Sequence, residues 1–176
     1  MSQDSIGQWW NRYRTNRGDA TERIVLFIRG FRPAMGTHSH RLNFVRTLTE
    51  AAEEEAVDSV DITVVGKEIC ICEKCREIHS RQTVHDVVET LKSWRDGGIR
   101  PSGFTEREIN SSITGEHHRV VTPPELTLGV YLDDSLVGVF PCTADGRTHT
   151  PEMFLQELTS KHLGEKPDSF EQTAIQ

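Results

Sequence analysis

The sequence predicts an α/β fold with a mixed central sheet and helices on both of its faces. A short apolar run closed by glycine, residues 23–30, indicates a buried strand, and an alternating run closed by Gly66 indicates a second strand. An amphipathic helical pattern follows each of them. Near the end of the chain, residues 125–140 show the alternation and the turn of a β-hairpin. Strands that alternate with helices imply parallel pairs, whereas the hairpin adds antiparallel strands.

The first half of the chain contains one predicted β-α-β unit. "RIVLFIRG" (23–30) is a β-branched apolar run, and the loop after it is punctuated by Pro33 and Gly36. "RLNFVRTLTEAAEEEAV" (41–57) has apolar residues at three- and four-residue spacing opposite an acidic face, which predicts a helix. "DSVDITVVG" (58–66) alternates before its glycine, so a second strand leads into a cluster of cysteines.

The second half predicts a long helix, two short elements, the hairpin and a last helix. "TVHDVVETLKSWRDGG" (83–98) begins with a capping threonine, carries an apolar stripe and ends at two glycines. "FTEREINSS" (104–112) alternates weakly and predicts a strand, and "TGEHHRVV" (114–121) is long enough for one or two helical turns. After the hairpin, Pro151 occupies the first position of the closing helix.

The length of 176 residues suits one domain. Residues 1–22 show no sustained periodicity and are interpreted as an N-terminal arm. Residues 23–163 are predicted to form the single domain, and residues 164–176 a flexible C-terminal tail.

The composition indicates a globular protein with an acidic surface. The formal net charge is -7, and no apolar run reaches the ~18 residues that cross a bilayer. A cytoplasmic protein is expected, because the N-terminus lacks the apolar core of a secretory signal. The charge argues against nucleic acid as a partner, although "WWNRYRTNR" (9–17) alternates aromatic and basic residues. The acid-rich, lysine-poor sequence resembles small haloarchaeal proteins of poorly defined function.

Three of the four cysteines fall within "CICEKCREIH" (70–79). Reducing cytoplasm disfavours stable structural disulfides, which shifts cysteine usage toward metal or thiol chemistry. The cluster therefore indicates a metal site, a redox dithiol, or partly buried thiols without chemistry.

The order of elements from Arg23 to His162 resembles the thioredoxin fold. In that family a strand ends in Cys-x-x-Cys at the start of a long helix, and a strand, a short helix, a cis-proline, a hairpin and a closing helix follow. The corresponding segments here are "ITVVGKEICICEKC", "FTEREIN", "TGEHHRVV", "TPPELTLGVYLDDSLVGVF" and "TPEMFLQEL". The resemblance implies a thioredoxin-like three-layer sandwich with a central mixed sheet.

The resemblance also implies thiol-disulfide exchange or redox sensing, with a protein thiol or a reductase as partner. Cys72 would be the attacking cysteine, Cys75 the resolving one, and Pro124 or Pro123 the cis-proline beside them. The positive end of a helix dipole lowers the pKa of a thiol at its N-terminus, which agrees with Cys72 as the attacking residue. This function needs no cofactor.

A metal site is the alternative function of the same cysteines. Cys70, Cys72, Cys75 and His79 offer three thiolates and an imidazole, which zinc accepts in tetrahedral geometry. All four lie in one short segment, whereas structural zinc sites usually draw on two separated segments, so Cys142 is a candidate for a distant ligand. Zinc is then the cofactor of a structural or interaction protein.

A minority interpretation is a transcriptional regulator of the helix-turn-helix type. Residues 75–95 contain a helical pair, although the wide apolar face of the longer segment suits a core helix. His117 and His118 are predicted to be surface histidines on the short helix, and His38 and His40 lie at the start of the first amphipathic helix. No periodicity specifies an oligomeric state.

Overall fold

A computed structural model describes residues 4–30, 37–77 and 79–160, without the side chains of residues 37, 38, 76 and 79–83. The helices, in chain order, are α1 (Ser5–Arg17), α2 (Thr37–Glu53), α3 (Glu73–Arg76), α4 (His79–Ser93) and α5 (151–160). Within this part of the chain no helix has both the length and the apolar character needed to cross a bilayer. The predicted tail, 164–176, lies outside the described residues.

The strands of the described chain form three sheets, ordered β2-β1-β7-β8, β3-β6-β5 and β10-β9-β4. Their bounds are β1 (Glu22–Arg29), β2 (Ser59–Val65), β3 (Ile69–Cys70), β4 (Arg100–Pro101), β5 (Thr105–Asn110), β6 (His117–Thr122), β7 (Leu126–Leu132), β8 (Ser135–Phe140), β9 (Cys142–Ala144) and β10 (Arg147–His149).

The central, four-stranded sheet is mixed, as predicted. β1 pairs in parallel with β2, and α2 forms the crossover that a parallel pair requires. β7 runs antiparallel to both β1 and β8. Asp133 and Asp134 join β7 to β8 with φ angles of 49° and 66°, the left-handed conformation that a two-residue hairpin turn favours. The α/β class and the mixed sheet are therefore confirmed.

Helices cover both faces of the central sheet. Alternate residues of a strand point to opposite faces, and β1 shows this directly. Ile24 and Leu26 belong to a core that includes buried residues of α1, α2 and α5, whereas Val25 and Phe27 belong to a second core with α4. The apolar run of β1 is continuous because the strand is buried on both sides.

Helix α1 corrects the prediction that residues 1–22 form an arm. Its buried residues, Ile6, Trp9 and Tyr13, have the spacing of one helix face. The indole N–H of Trp9 donates to the carbonyl oxygen of Val137 at 2.8 Å, and its ring stacks on Tyr13 with the centroids 5.0 Å apart. The periodicity is weak in the sequence because polar and basic residues separate three apolar anchors.

Residues 114–121, predicted as helical turns, instead contain most of β6. This strand pairs antiparallel with β5 along six residues. Gly115, with φ of +70°, lies in the turn between the two strands, so it reverses the chain rather than opening a helix. β5 itself agrees with the strand predicted at 104–112, but it is exposed along its whole length and lies outside the central sheet.

The predicted cis peptide bond at Pro124 or Pro123 is wrong. In the described chain the cis bond lies between Phe140 and Pro141, at the end of β8. Pro123 and Pro124 instead form the connection from β6 to β7, where the carbonyl oxygen of Pro123 accepts a hydrogen bond from Arg29 at 3.0 Å.

A buried carboxylate joins α1 to the start of β1. Glu22 is 2% exposed, accepts a hydrogen bond from the Tyr13 hydroxyl, and pairs with Arg17 at 2.8 Å between Oε2 and Nε. Burial raises the pKa of Glu22 above its usual range, and the contacts with Tyr13 and Arg17 oppose that rise. The folded protein therefore holds a proton on this carboxyl group more tightly than the unfolded chain does.

Gly138→Ala should destabilise the protein by about 1–3 kcal/mol, the usual cost of overpacking a core. An added Cβ would lie 2.5 Å from Cζ2 of Trp9, and the rigid indole is held by its own hydrogen bond. Gly7→Ala is the control, because Gly7 lies on α1, the helix that carries Trp9, and a Cβ added there has ordinary contacts at 3.6 Å or more. This substitution should stabilise α1 by roughly 0.5–1 kcal/mol. Urea unfolding measures both, and an unchanged Gly138→Ala protein would contradict the position of Trp9.

Glu22→Gln should make the free energy of unfolding less dependent on pH. A carboxyl group whose folded pKa is raised contributes stability that is full below its unfolded pKa, about 4.3, and lost as pH rises through the folded value. Wild-type stability relative to Glu22→Gln should therefore fall between mildly acidic and neutral pH in urea unfolding. Glu50→Gln, on an exposed position of α2, controls for net charge, and parallel profiles for wild type and Glu22→Gln would refute this account.

Candidate metal centre

Three cysteines and one histidine converge at the β3 edge of the β3-β6-β5 sheet. Cys70 ends β3, Cys72 is the N-cap residue of α3, Cys75 lies inside α3, and His118 lies in β6. Their potential ligand atoms all lie within 4.8 Å of one another, and each residue is half-buried. These four residues are named the Cys3His cluster.

Strand pairing explains how His118 reaches the cysteines. β3 pairs antiparallel with β6 so that Cys70 lies opposite Val120. The pairing continues one residue further, because the N–H of Ile71 donates to the carbonyl oxygen of Arg119 at 2.8 Å. Alternate residues of a strand share a face, so the next position on this face sets Cys72 against His118.

The distances from His118 to two of the cysteines are close to those of a tetrahedral metal site. Nδ1 of His118 lies 3.5 Å from Sγ of Cys72 and 3.8 Å from Sγ of Cys70. Zinc with Zn–S of ~2.3 Å and Zn–N of ~2.0 Å places sulfur and nitrogen roughly 3.5 Å apart. The Sγ atoms of Cys70 and Cys72 are 3.0 Å apart, and the same geometry requires roughly 3.8 Å. A metal ion would therefore move these two sulfurs slightly apart.

The thiols of the cluster do not hold their protons equally. A hydrogen bond from Cys70 is the main cause that lowers the pKa of Cys72 to about 6; partial burial opposes it, and His118 assists it. Burial, and then the same hydrogen bond, raise the pKa of Cys70 to about 12. The contact with Cys72, followed by that with Glu116, raises the pKa of His118. Cys72 is thus the preferred thiolate, and thiolates are the form that binds metals.

A carboxylate lies on the far side of the histidine ring. Nε2 of His118 is 3.4 Å from Oε2 of Glu116, whose other oxygen pairs with Nζ of Lys74 at 2.9 Å. Histidine ligands commonly donate their second N–H to a carboxylate, which fixes the ring and its tautomer. Glu116 and Lys74 thus hold the ring with Nδ1 toward the thiols.

The structure separates the predicted ligands into two groups. Cys70, Cys72 and Cys75 lie together, whereas Cys142 is 1% exposed in β9, within the core that contains α1, α2 and α5. The side chain of His79 lies outside the described residues. His118 is the candidate ligand that the sequence did not reveal, because only a strand at this position, and not the predicted helix, aligns it with Cys72.

The position of Cys72 differs from the one that the thioredoxin resemblance implies. Cys72 precedes a helix of four residues, and the long helix α4 begins separately at His79. The strand before Cys72 is β3, which belongs to the small sheet rather than to the central one. The cysteine pair therefore does not lie between a central strand and a long helix.

The fold and the cluster define a mixed α/β protein with three thiols and an imidazole placed to hold a metal ion. The chain belongs to a family described as a helix-turn-helix domain, and the match covers residues 16–163, well over half of its length. No curated protein and no solved structure matches the chain.

Family membership overturns two expectations from the sequence. Thiol-disulfide exchange or redox sensing through Cys72 and Cys75, with a protein thiol or reductase as partner, is wrong, because a helix-turn-helix domain points to DNA binding. The expectation that nucleic acid is not a partner is wrong for the same reason. It rested on the net charge of the whole chain, which does not describe one local surface. The minority interpretation, a helix-turn-helix regulator, fits the family best.

Proposed function

We propose that the protein is a DNA-binding transcriptional regulator whose α3–α4 helix pair is held in place by zinc. The observation that carries the proposal is the family match over residues 16–163, which includes the pair and the whole Cys3His cluster. α3 and α4 are separated by only two residues, and a helix pair joined by a short turn is the unit that helix-turn-helix proteins present to the major groove.

Zinc is the metal that the ligand set supports. Three cysteine thiolates and one histidine nitrogen form one of the usual closed, four-coordinate zinc sites, which stabilise a fold rather than catalyse a reaction. The ligands Cys70, Cys72 and Cys75 come from one segment and His118 from another, which is the division between separated segments that structural zinc sites favour. The carboxylate of Glu116 behind His118 supplies the outer contact expected of a ligand histidine.

Zinc would fix the first helix of the pair. α3 has four residues, and so short a helix has no stability of its own in water. Cys72 is the residue at its N-cap position and Cys75 lies within it, while His118 belongs to β6. A metal bound by all three would tie α3 to the β3-β6-β5 sheet and so hold it beside α4.

The aromatic-basic segment 9–17 is not the proposed DNA surface. Its tryptophan Trp9 is buried, and its arginines pair with carboxylates: Arg12 with Asp96 at 2.9 Å and Arg14 with Glu157 at 2.7 Å. Charges neutralised in this way add little to phosphate binding. The α3–α4 pair is therefore the better candidate.

For the fold, we propose a thioredoxin-like sandwich. A parallel pair joined by α2, an antiparallel hairpin and a closing helix support this assignment, with the β3-β6-β5 sheet inserted between the second and third strands of the central sheet. The assignment concerns architecture alone.

Purified protein should contain about one equivalent of zinc per chain, and His118→Ala should lose most of it. Zinc at ~100 times its Kd should raise the free energy of unfolding by about 2.7 kcal/mol in wild type, whereas His118→Ala should gain much less. Elemental analysis and urea unfolding with and without chelator measure both effects.

His117→Ala is the matched control for the zinc experiment. His117 is the adjacent residue, but its ring contacts Asn110 and it is outside the Cys3His cluster. This variant should keep its zinc, and Cys142→Ser should do the same because Cys142 lies in the core. A His118→Ala protein that holds as much zinc as wild type would disprove the proposed ligand set.

Selection from a random duplex library with the full, zinc-loaded chain should enrich a specific DNA sequence. Its affinity should fall steeply with salt, since phosphate contacts release counterions. Chelated protein and His118→Ala should bind the enriched duplex at least about tenfold more weakly if zinc positions the reading element, and His117→Ala should bind normally. If no sequence is enriched at ~50 mM salt, the proposed DNA binding is wrong, whereas the proposed zinc site is unaffected by that result.

A further inference from the structure

Three contacts hold Ile71, the residue between the candidate ligands Cys70 and Cys72. Its N–H donates to Arg119 in β6, and its side chain packs against the core that contains Val88 and Leu91 of α4. Its carbonyl oxygen accepts a hydrogen bond from Nε2 of His85 at 2.9 Å. The peptide between Cys70 and Cys72 is thereby tied both to the strand that carries His118 and to α4.

His85 occupies its place at an energetic cost. The residue is 7% exposed, and the Ile71 carbonyl can only accept, so the proton must be on Nε2. In the neutral ring Nδ1 is then a buried acceptor, and it has no hydrogen-bond partner among the side chains that the structure describes; a carboxylate oxygen of Asp86 lies 3.5 Å away. A buried polar atom without a partner destabilises a fold. An apolar residue would fill this core without that cost, so packing alone does not explain a histidine here.

We propose that His85 is a positioning residue of the metal centre and that it couples metal binding to α4; the inference rests on the proposed zinc site. Its hydrogen bond orients the Ile71 peptide, which sets the directions in which Cys70 and Cys72 leave the backbone. Because His85 lies on α4, the same bond transmits a shift of the cysteine segment to the second helix of the proposed DNA-binding pair.

The coupling works in both directions. A ligand that binds one arrangement of α4 better than another must change the zinc affinity by the same factor that zinc changes the affinity for that ligand. DNA held by α3 and α4 would therefore retain zinc in the cluster, and loss of zinc would weaken the hold on DNA.

The first experiment measures zinc affinity of the full chain by competition with a chromophoric chelator, without DNA. His85→Phe keeps a ring but has no donor, and it should weaken zinc binding by about 10–100-fold, the range found for lost outer contacts of ligands. His85→Gln places an amide N–H near the Nε2 position and should recover most of the affinity. His85→Asn, whose amide is too short to reach Ile71, should resemble His85→Phe and replaces it if the phenylalanine variant does not fold.

Thr127→Val is the control for a general loss of core stability. Thr127 is also a buried polar residue whose hydroxyl has no hydrogen-bond partner in the described part of the chain, but it lies in β7, in the central sheet. Its substitution should change the free energy of unfolding without changing zinc affinity. Equal zinc affinity in wild type, His85→Phe and His85→Asn, or a His85→Gln protein as weak as His85→Phe, would overturn the positioning role. Wild-type protein that binds no zinc would overturn the proposed centre itself, which is a separate result.

The second experiment tests the coupling by hydrogen exchange. Saturating zinc should slow exchange of the α4 backbone amides in wild type and in His85→Gln, but much less in His85→Phe at equal zinc occupancy. Equal protection of α4 in all three proteins would overturn the coupling. The positioning role of His85 would then be decided by the zinc affinities alone.

Discussion

The antiparallel pairing of residues 69–71 with residues 119–121 is the interaction on which the candidate metal centre depends. Side chains alternate along a strand, so a shift of one residue in this register would turn His118 to the opposite face of the sheet. Three backbone positions therefore decide whether the cluster has three ligands or four. The pairing is short, and the Ile71 side chain anchors it in the core beneath α4.

The two main sheets have different sources of stability. The central sheet is covered on both faces, and Glu22 and Trp9 fasten α1 to it. The β3-β6-β5 sheet has one exposed strand and a two-residue edge strand, and its buried apolar residues are Ile69, Val120 and Val121. Stability that a larger core supplies elsewhere would come here from a bound metal, from the Lys74–Glu116 ion pair and from the packing of Ile71.

The sequence was informative where periodicity was strong. The positions of β1, β2, α4 and the β7–β8 hairpin are predicted correctly, because each has a continuous or regularly spaced set of apolar residues. β2 is an edge strand of its sheet, and two of its alternating apolar residues, Ile62 and Val64, are exposed. α1 is not predicted because only three buried apolar residues, Ile6, Trp9 and Tyr13, hold it against the core. β6 is not predicted because the length of residues 114–121 also suits one or two helical turns. Local spacing predicts that Cys70, Cys72 and Cys75 lie together, whereas the position of His118 beside them depends on strand register, which one sequence does not display.

Cys72 and His118 lie 46 positions apart in the chain. A metal ion that joins them would act as a reversible cross-link around a large closed loop, comparable in its effect on chain entropy to a disulfide of similar span. That loop contains α3, α4, β4 and β5, while β1 and the β7–β8 hairpin lie outside it. Metal release would therefore loosen one contiguous section of the chain and leave all four strands of the central sheet, β2 included, outside that section.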